Sequence, residues 1–239
     1  MAKRMQPLIA LKALKALVQD PDDTRKVFEI IDAMAGDANE KCAARFQQTA
    51  SGQRILSQPG NLLDTLKARD ALQAMRSDSL GRAYLHFLDS ENLAVDGLVE
   101  ASEGTRLKDE GELDFQRFTL RQRDQHDLWH VLTGYGRDVA GEASLLAFTF
   151  AQTRNRGLGL ISLVGGLKLL RKYGFAIFKS LRQGYRLGQR AAWLPQQEWE
   201  TLLQLPLLQV RDLLSIGRPD LYFGLSSAAT NVYTQTSRS

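Results

Sequence analysis

The chain is organised around the stretch His126-Asp127-Leu128-Trp129-His130, which Glu142 follows after eleven intervening residues. On an α-helix, which turns about 100° per residue, His126 and His130 lie about 40° apart and Asp127 lies about 100° from His126. These three side chains can therefore reach a common point, and Glu142 can close the set from the next helix. Two imidazoles and two carboxylates suit zinc, and iron(II) or manganese(II) can also use them. The spacing predicts one metal ion held by His126, Asp127, His130 and Glu142.

Two other interpretations of this stretch explain less of it. A zinc protease helix needs a Glu directly after the first His as its general base, and this chain has the shorter Asp127 there. Two hydrogen-bonded histidines on a half-buried helix would account for the spacing of His126 and His130. They would not account for the carboxylates of Asp127 and Glu142 at convergent positions.

The same residues carry a family resemblance. The string His126-Asp127-x-x-His130, with eleven residues before Glu142, resembles the signature of the Coq-four family of ubiquinone-biosynthesis proteins. The stretch 80–88, LGRAYLHFL, is similar to that family's LGRxYLxFL sequence. Shorter matches follow the family's order at residues 10–14, 20–21, 52–56 and 199–200, so the resemblance covers roughly residues 8–218. The chain departs from the family at 195–198, where Pro-Gln-Gln-Glu stands in place of a frequent Tyr and Arg pair.

The resemblance implies a step in ubiquinone biosynthesis at a membrane surface. The expected reaction removes the C1 carboxyl group of a polyprenylated 4-hydroxybenzoate, with or without oxidation at that carbon. Arg82, in the matched LGR stretch, is a candidate partner for the substrate carboxylate, because a guanidinium group pairs with a carboxylate through two hydrogen bonds. The expected protein partners are other enzymes of ubiquinone biosynthesis and a second copy of the chain.

The alternative is a protein without catalytic activity. It would bind prenyl lipids and organise the enzymes of ubiquinone biosynthesis, and its metal would be structural. Four protein ligands describe a closed structural site, whereas a catalytic site keeps one position open. The sequence leaves this choice open.

The composition indicates one soluble globular domain. The chain has 239 residues, of which 44% are hydrophobic and 24% charged, and a single cysteine, Cys42. Nearly every segment shows apolar residues at helical spacing, which predicts an all-α fold with the metal site between two core helices. One helix is expected from about Glu112 to Leu132, and after the break at Gly134-Tyr135-Gly136 Asp138 can cap the next helix, as Asn61 can cap an earlier one. We expect a single multi-helix domain over residues 1–225 and a disordered tail over 226–239. Residues 89–111 lack any period, and a loop of that length is a candidate lid.

The N-terminal segment contains no acidic residue before Asp20. Leu8, Leu11, Leu14 and Val18 recur at helical spacing and lead straight into the matched region. We therefore expect them to form the apolar stripe of a first helix rather than a cleaved leader. The predicted location is the bacterial cytoplasm, with peripheral association with the inner membrane.

A second unusual feature is the segment 143–197, which has no Asp or Glu but nine Lys and Arg. Since the whole chain has 31 basic and 27 acidic residues, the remainder holds 22 basic and 27 acidic residues, a net charge of −5. Basicity confined to one segment indicates an anionic partner for that segment. The uncharged run 157–167 is too short to span a bilayer. The predicted contact is an anionic membrane surface met by six of the cations: Arg154, Arg156, Lys168, Arg171, Lys172 and Lys179.

Other interpretations of this basic segment remain open or are excluded. An ordinary core helix with a solvated basic face is the competing interpretation. Nucleic acid is not expected, because the apolar run is too continuous for an element that faces a groove. The glycines of 157–166 do not have the spacing of a dinucleotide-binding loop.

Overall fold

The structure, a computed structural model, describes residues 4–19, 23–93 and 113–225. Within these ranges the chain forms α-helices joined by short turns and no β-strand, so the predicted all-α class is confirmed. Its fifteen α-helices are α1 Pro7–Gln19, α2 Thr24–Ala35, α3 Ala38–Gln48, α4 Ala50–Ser57, α5 Leu62–Lys67, α6 Arg69–Gln73, α7 Leu80–Ser90, α8 Leu113–Asp124, α9 His126–Thr133, α10 Val139–Thr153, α11 Arg156–Tyr173, α12 Ala176–Arg190, α13 Trp199–Leu202, α14 Leu207–Leu213 and α15 Asp220–Phe223. The predicted tail at 226–239 and residues 94–111 of the predicted lid lie outside the described residues.

Helix α10 is the centre of the domain. It packs most extensively against α12 and then against α11, and its buried face includes Leu145 and Phe148, both with no exposed surface. The main core continues from α10 through α7, α9 and α14, where Tyr84, Leu128 and Val210 are buried. The burial of these large apolar side chains is the main stabilising term in a helical domain of this kind.

Capping residues fix where several helices begin and end. The side chains of Asp23, Asn61 and Asp138 accept hydrogen bonds from backbone amides in the first turns of α2, α5 and α10. Such caps satisfy amides that have no partner inside the helix. Gly134 ends α9 with φ of 81°, a left-handed conformation that glycine adopts at little cost.

One predicted helix is divided in the structure. The sequence predicts a continuous helix from Glu112 to Leu132, but α8 ends at Asp124 and α9 begins at His126. The junction residue, Gln125, has φ −82° and ψ −2°, and its side-chain oxygen accepts a 2.5 Å hydrogen bond from the Trp199 indole. Neither Gly nor Pro marks this junction, and the tertiary hydrogen bond to Trp199 has no counterpart in the local sequence pattern.

The first helix forms as predicted, but the leucine stripe is not its most buried face. Its buried residues are Ala10, Ala13 and Leu17, whereas Leu8 is 82% exposed and Leu11 is 49% exposed. Alanines allow α1 to approach α2 closely, and the larger leucines are left at the surface. No helix of the described ranges is both long enough and apolar enough to cross a bilayer.

Candidate metal centre

Helix α9 presents the two predicted histidines on one face. The Nε2 atoms of His126 and His130 are 3.2 Å apart, and the two rings meet edge to face with centroids 4.9 Å apart. One turn of helix separates the residues, as the i,i+4 spacing requires. His130 is fully buried, while the side chain of His126 is 32% exposed. The pair therefore lies at the edge of the core with one side toward solvent.

The ring of His130 is held from two directions. Its Nδ1 lies 2.9 Å from the backbone oxygen of Tyr135, which can only accept, so Nδ1 carries the proton and donates. Phe87, on α7, stacks on the same ring at 5.7 Å between centroids and 18° between planes. In the neutral ring, a proton on Nδ1 leaves Nε2 with a free lone pair that points toward His126 and Glu142.

The turn at 134–138 brings Glu142 back to the histidines. Asp138 caps α10, and Glu142 lies in the first turn of that helix. Its Oε1 is 3.3 Å from Nε2 of His130, and its Oε2 is 4.0 Å from Nε2 of His126. The predicted position of the site, between two core helices, follows from this return of the chain.

The three groups of the cluster shift one another's pKa values. Burial disfavours a charged His130, but the hydrogen bond and the negative charge of Glu142 outweigh burial and raise the pKa of that imidazole. Burial and the neighbouring charge of His130 lower the pKa of His126. For Glu142, burial alone would raise the pKa, but the hydrogen bond to His130 and the nearby positive charges lower it. Three lone-pair atoms that face one another need one cation between them, either a proton or a metal ion.

The donor atoms fit a zinc site. The ligand atoms of His126, His130 and Glu142 all lie within 4.8 Å of one another. With bonds of about 2.0–2.2 Å, the ligands of a tetrahedral zinc ion lie roughly 3.3 Å apart. The separations between the two Nε2 atoms and between His130 and Glu142 match this value, while Glu142 lies farther from His126, at 4.0 Å. Two imidazoles and one carboxylate are also the protein donors of known catalytic zinc sites in which the fourth position is open.

Comparisons with known proteins bear on the identity of the chain. The family model described as "Coenzyme Q (ubiquinone) biosynthesis protein Coq4" matches residues 2–220. The chain belongs to the Coq4 family.

Curated Coq4 relatives share the sequence over most of this chain. The ubiquinone biosynthesis protein COQ4 homolog 1, mitochondrial, of Culex quinquefasciatus is 28% identical over 185 residues, which is 73% of this chain and 62% of the relative. The corresponding Aspergillus niger protein is 30% identical over 172 residues, with 71% and 56% covered. The Bos taurus protein is 29% identical over 179 residues, with 74% and 65% covered. The chain thus spans less than two thirds of the length of each of these relatives.

A crystal structure shows the same fold. It is that of a candidate ubiquinone biosynthesis protein from Nostoc punctiforme PCC 73102. The two chains superpose with a TM-score of 0.64 at 20% sequence identity, over 90% of this chain and all of the other. This similarity supports the helical architecture of a Coq4 protein.

Two of the predicted site residues, Asp127 and Arg82, are not among the three clustered donors. Asp127 is half-buried, and the group of convergent donors among the described residues contains only His126, His130 and Glu142. Its charge still acts on both histidines and on the buried Tyr84. The guanidinium of Arg82 donates to the backbone oxygen of Gln73 at 2.6 Å, at the end of α6. Its predicted role toward a substrate carboxylate stays a prediction.

No sequence pattern singles out Phe87, which stacks on His130 and helps to hold the cluster in place. Phe87 and Tyr84 belong to the matched stretch 80–88, where their spacing predicts only an apolar helix face. Tyr84 is buried, and burial together with the charges of Asp127 and Asp124 raises the pKa of its hydroxyl. An aromatic pair at i,i+3 on a helix predicts a core face, and its place beside a metal centre depends on how α7 packs on α9.

Proposed function

We propose that the protein is a metal-dependent enzyme of ubiquinone biosynthesis that removes the C1 carboxyl group of a polyprenylated 4-hydroxybenzoate. Membership of the Coq4 family supports the biosynthetic route. The observation that carries an enzymatic role is the convergence of three donors rather than four, since three donors leave a coordination position for substrate or water.

The proposed reaction balances in two versions. In the simple version the bond from C1 to the carboxyl carbon breaks, CO2 leaves, the electron pair stays on C1, and C1 takes up a proton. In the oxidative version the substrate carboxylate reacts with O2, two electrons from a reductant and three protons in all. C1 gains a hydroxyl group in place of the carboxyl group, and CO2 and one water are released. Zinc has no redox chemistry, so the oxidative version requires iron(II) or manganese(II), or O2 that reacts with the substrate itself.

Different residues of the site would bind the metal ion, orient a ligand and control access of water. When bound, a divalent ion would supply Lewis-acid polarisation of a substrate oxygen. His126, His130 and Glu142 would hold it, and the Tyr135 backbone oxygen keeps His130 in the required tautomer. Phe87 covers the ring of His130 by stacking on it, while the partial exposure of His126 and Glu142 leaves an open side.

The reaction is tested with a prenylated 4-hydroxybenzoate labelled at its carboxyl carbon. The substrate is incubated with metal-loaded protein, with and without O2 and a chemical reductant. We expect labelled CO2 from the wild type and from Glu40→Gln, which changes an exposed carboxylate on α3. We expect none from Glu142→Gln, which keeps the shape of the side chain but removes its charge.

The same experiment distinguishes the enzyme from the lipid-binding scaffold. Absence of labelled CO2 under every condition, together with tight binding of the prenylated compound, would contradict the enzyme and support the scaffold. Association with other enzymes of ubiquinone biosynthesis and formation of a homodimer stay predictions.

Docking on an anionic membrane surface is part of the proposal, because the substrate carries a prenyl tail. All nine cations of the segment 143–197 are exposed, and among the described residues none is paired with a carboxylate. Exposed apolar side chains accompany them: Leu163 is 49%, Leu167 is 55% and Phe175 is 76% exposed. Cations interleaved with exposed apolar side chains are typical of helices that lie at a lipid interface.

Helix α1 also exposes basic and apolar side chains. Leu8 and Leu11 are exposed, and so are Lys12 and Lys15. Met5, just before α1, lies next to α11, because its Sδ is 3.4 Å from the guanidinium of Arg156. The outward leucines of α1, unexplained by core packing, support a surface contact that includes both helices.

A further inference from the structure

Tyr222 is a buried tyrosine in the last described helix, α15, far in sequence from the metal centre. It has no exposed surface, and α15 is tied to α12 by a 2.9 Å hydrogen bond from the backbone amide of Leu221 to the side-chain oxygen of Gln183. Its hydroxyl accepts a hydrogen bond of 3.0 Å from the backbone amide of Gly136 and donates one to Oδ2 of Asp138. One hydroxyl thus joins two residues of the turn between α9 and α10.

Each residue held by Tyr222 is linked to a different part of the cluster. Gly136 directly follows Tyr135, whose backbone oxygen accepts from Nδ1 of His130. The second oxygen of Asp138, Oδ1, accepts from the amides of Ala140 and Gly141 at 3.1 and 3.2 Å and so caps α10. That cap sets the start of the helix whose first turn carries Glu142.

The packing leaves little freedom around this hydroxyl. A Cβ atom added at Gly136 would come within 2.6 Å of the Tyr222 hydroxyl oxygen. A Cβ atom added at Gly141 would come within 2.1 Å of the Gly136 carbonyl oxygen. The rings of Tyr135 and Tyr222 also pack at 5.3 Å between centroids. Glycines at 136 and 141 therefore allow the turn to lie directly between Tyr222 and α10.

We propose that the Tyr222 hydroxyl is a positioning group for the metal centre, fixing the 134–138 turn so that His130 and Glu142 face each other. The consequence for metal affinity rests on the proposed metal site, whereas the positioning of the turn does not. Groups that orient metal ligands in this way change affinity by about 10–100-fold when removed.

The test compares Tyr222→Phe with Tyr185→Phe. The hydroxyl of Tyr185 bonds to exposed Arg154 and Gln189 on the outer side of α12, so its loss is a matched control. Zinc affinity is measured by competition with a chelator, and hydrogen exchange of the Gly136 amide is measured in metal-free protein. We expect Tyr222→Phe to weaken zinc binding about 10–100-fold and to speed Gly136 exchange at least tenfold, with neither effect in Tyr185→Phe.

A second variant keeps the proposal testable if Tyr222→Phe folds poorly. Asp138→Ser retains a residue that caps helices well but removes the oxygen that Tyr222 contacts. We expect it to weaken zinc binding as Tyr222→Phe does, and the double variant to lose no more than either single variant, because both remove one shared contact.

Two results would overturn the proposal. One is unchanged zinc affinity and unchanged Gly136 exchange in folded Tyr222→Phe, and the other is strictly additive losses in the double variant. A wild-type protein that binds no divalent ion would instead contradict the metal site. Gly136 exchange in the metal-free variants would still decide whether Tyr222 holds the turn.

Discussion

At the scale of single residues, three acceptor atoms converge at the junction of α9 and α10. Nε2 of His126, Nε2 of His130 and a carboxylate oxygen of Glu142 approach within 4.8 Å. Such an arrangement is unfavourable unless a positive charge lies between the atoms. The residue-scale predictions concern the nature of that charge and the donors that share it.

His130 is the donor whose loss we expect to abolish metal binding. His130→Gln removes the lone pair held in place by Tyr135 and Phe87, so bound zinc should fall from about one equivalent to near zero. Elemental analysis of purified protein provides the measurement. His86→Gln is the matched control, because His86 is exposed on α7. Full metal content in His130→Gln would show that the cluster does not bind the ion.

Asp127 tests whether the site has three or four protein donors. Asp127→Asn removes a charge beside both histidines but none of the three clustered donor atoms. We expect this variant to keep about one equivalent of zinc with lower affinity, since nearby negative charge favours the bound cation. If Asp127→Asn loses zinc as completely as His130→Gln does, Asp127 is a ligand and the site is closed.

The sequence predicts contacts of the site between residues that are close along the chain, but not contacts between residues that are far apart along it. The i,i+4 spacing predicts that His126 and His130 share a face, and the glycine break with the Asp138 cap predicts the return of Glu142. The same angular argument includes Asp127, at about 100° from His126, although the structure does not bring it into the cluster. Tyr222 is more than 80 residues from the turn it contacts, and no local pattern connects them.

At the scale of helices, the close contact between α10 and α12 holds in place both the core and the helix that carries Glu142. Gly184 and Gly188 on α12 lie one turn apart and face α10, where added Cβ atoms would each come within 2.5 Å of a backbone oxygen, that of Ser144 or Phe148. Between these helices Ser144 and Ser180, both fully buried, share a 2.9 Å hydrogen bond. Because α10 carries Glu142, its distance from α12 affects the core and the site together.

Gly184→Ala is therefore expected to be destabilising. Its new methyl group must push the two helices apart, and overpacking of this kind costs about 1–3 kcal/mol of the free energy of unfolding. Urea denaturation measures the change. Gly224→Ala is the control, because a Cβ atom there has no neighbour closer than 3.6 Å. Equal stability of the two variants would mean that α10 and α12 are not in close contact at Gly184.

The sequence predicts where helices form better than it predicts where they end and which face they bury. Caps at Asn61 and Asp138 are local relations, so the sequence predicts them. The break at Gln125 coincides with a hydrogen bond from the distant Trp199, which no local pattern predicts. In α1, the apolar pattern predicts a helix. That Ala10 and Ala13 are buried while Leu8 and Leu11 are exposed follows from the close packing of α1 on α2.

At the scale of the whole molecule, the charge is divided unevenly. The segment 143–197 carries nine basic residues and no acidic residue, while the rest of the chain is net acidic by five charges. Attraction to anionic lipid is worth about 1 kcal/mol for each cation near the surface. The exposed Leu163, Leu167 and Phe175 add apolar contact.

Vesicle binding should depend on both parts of this surface. Arg171→Glu combined with Lys172→Glu reverses two exposed charges at the end of α11, so binding to vesicles with anionic phospholipid should weaken on the order of tenfold or more. Phe175→Ser should weaken binding to the same vesicles at high salt, where the electrostatic attraction is screened and the apolar contact remains. Co-sedimentation across a salt series measures both effects.

The matched control makes the same change in net charge on the acidic part of the molecule. Lys41→Glu combined with Arg76→Glu replaces two exposed cations that pair with Asp37 and Asp78, and exposed ion pairs contribute little to stability. This double variant should bind vesicles nearly as the wild type does, because its cations lie outside the basic segment. Equal losses in the two double variants would show that net charge alone governs binding. Equal binding of the wild type to neutral and anionic vesicles would rule out electrostatic docking by the basic segment.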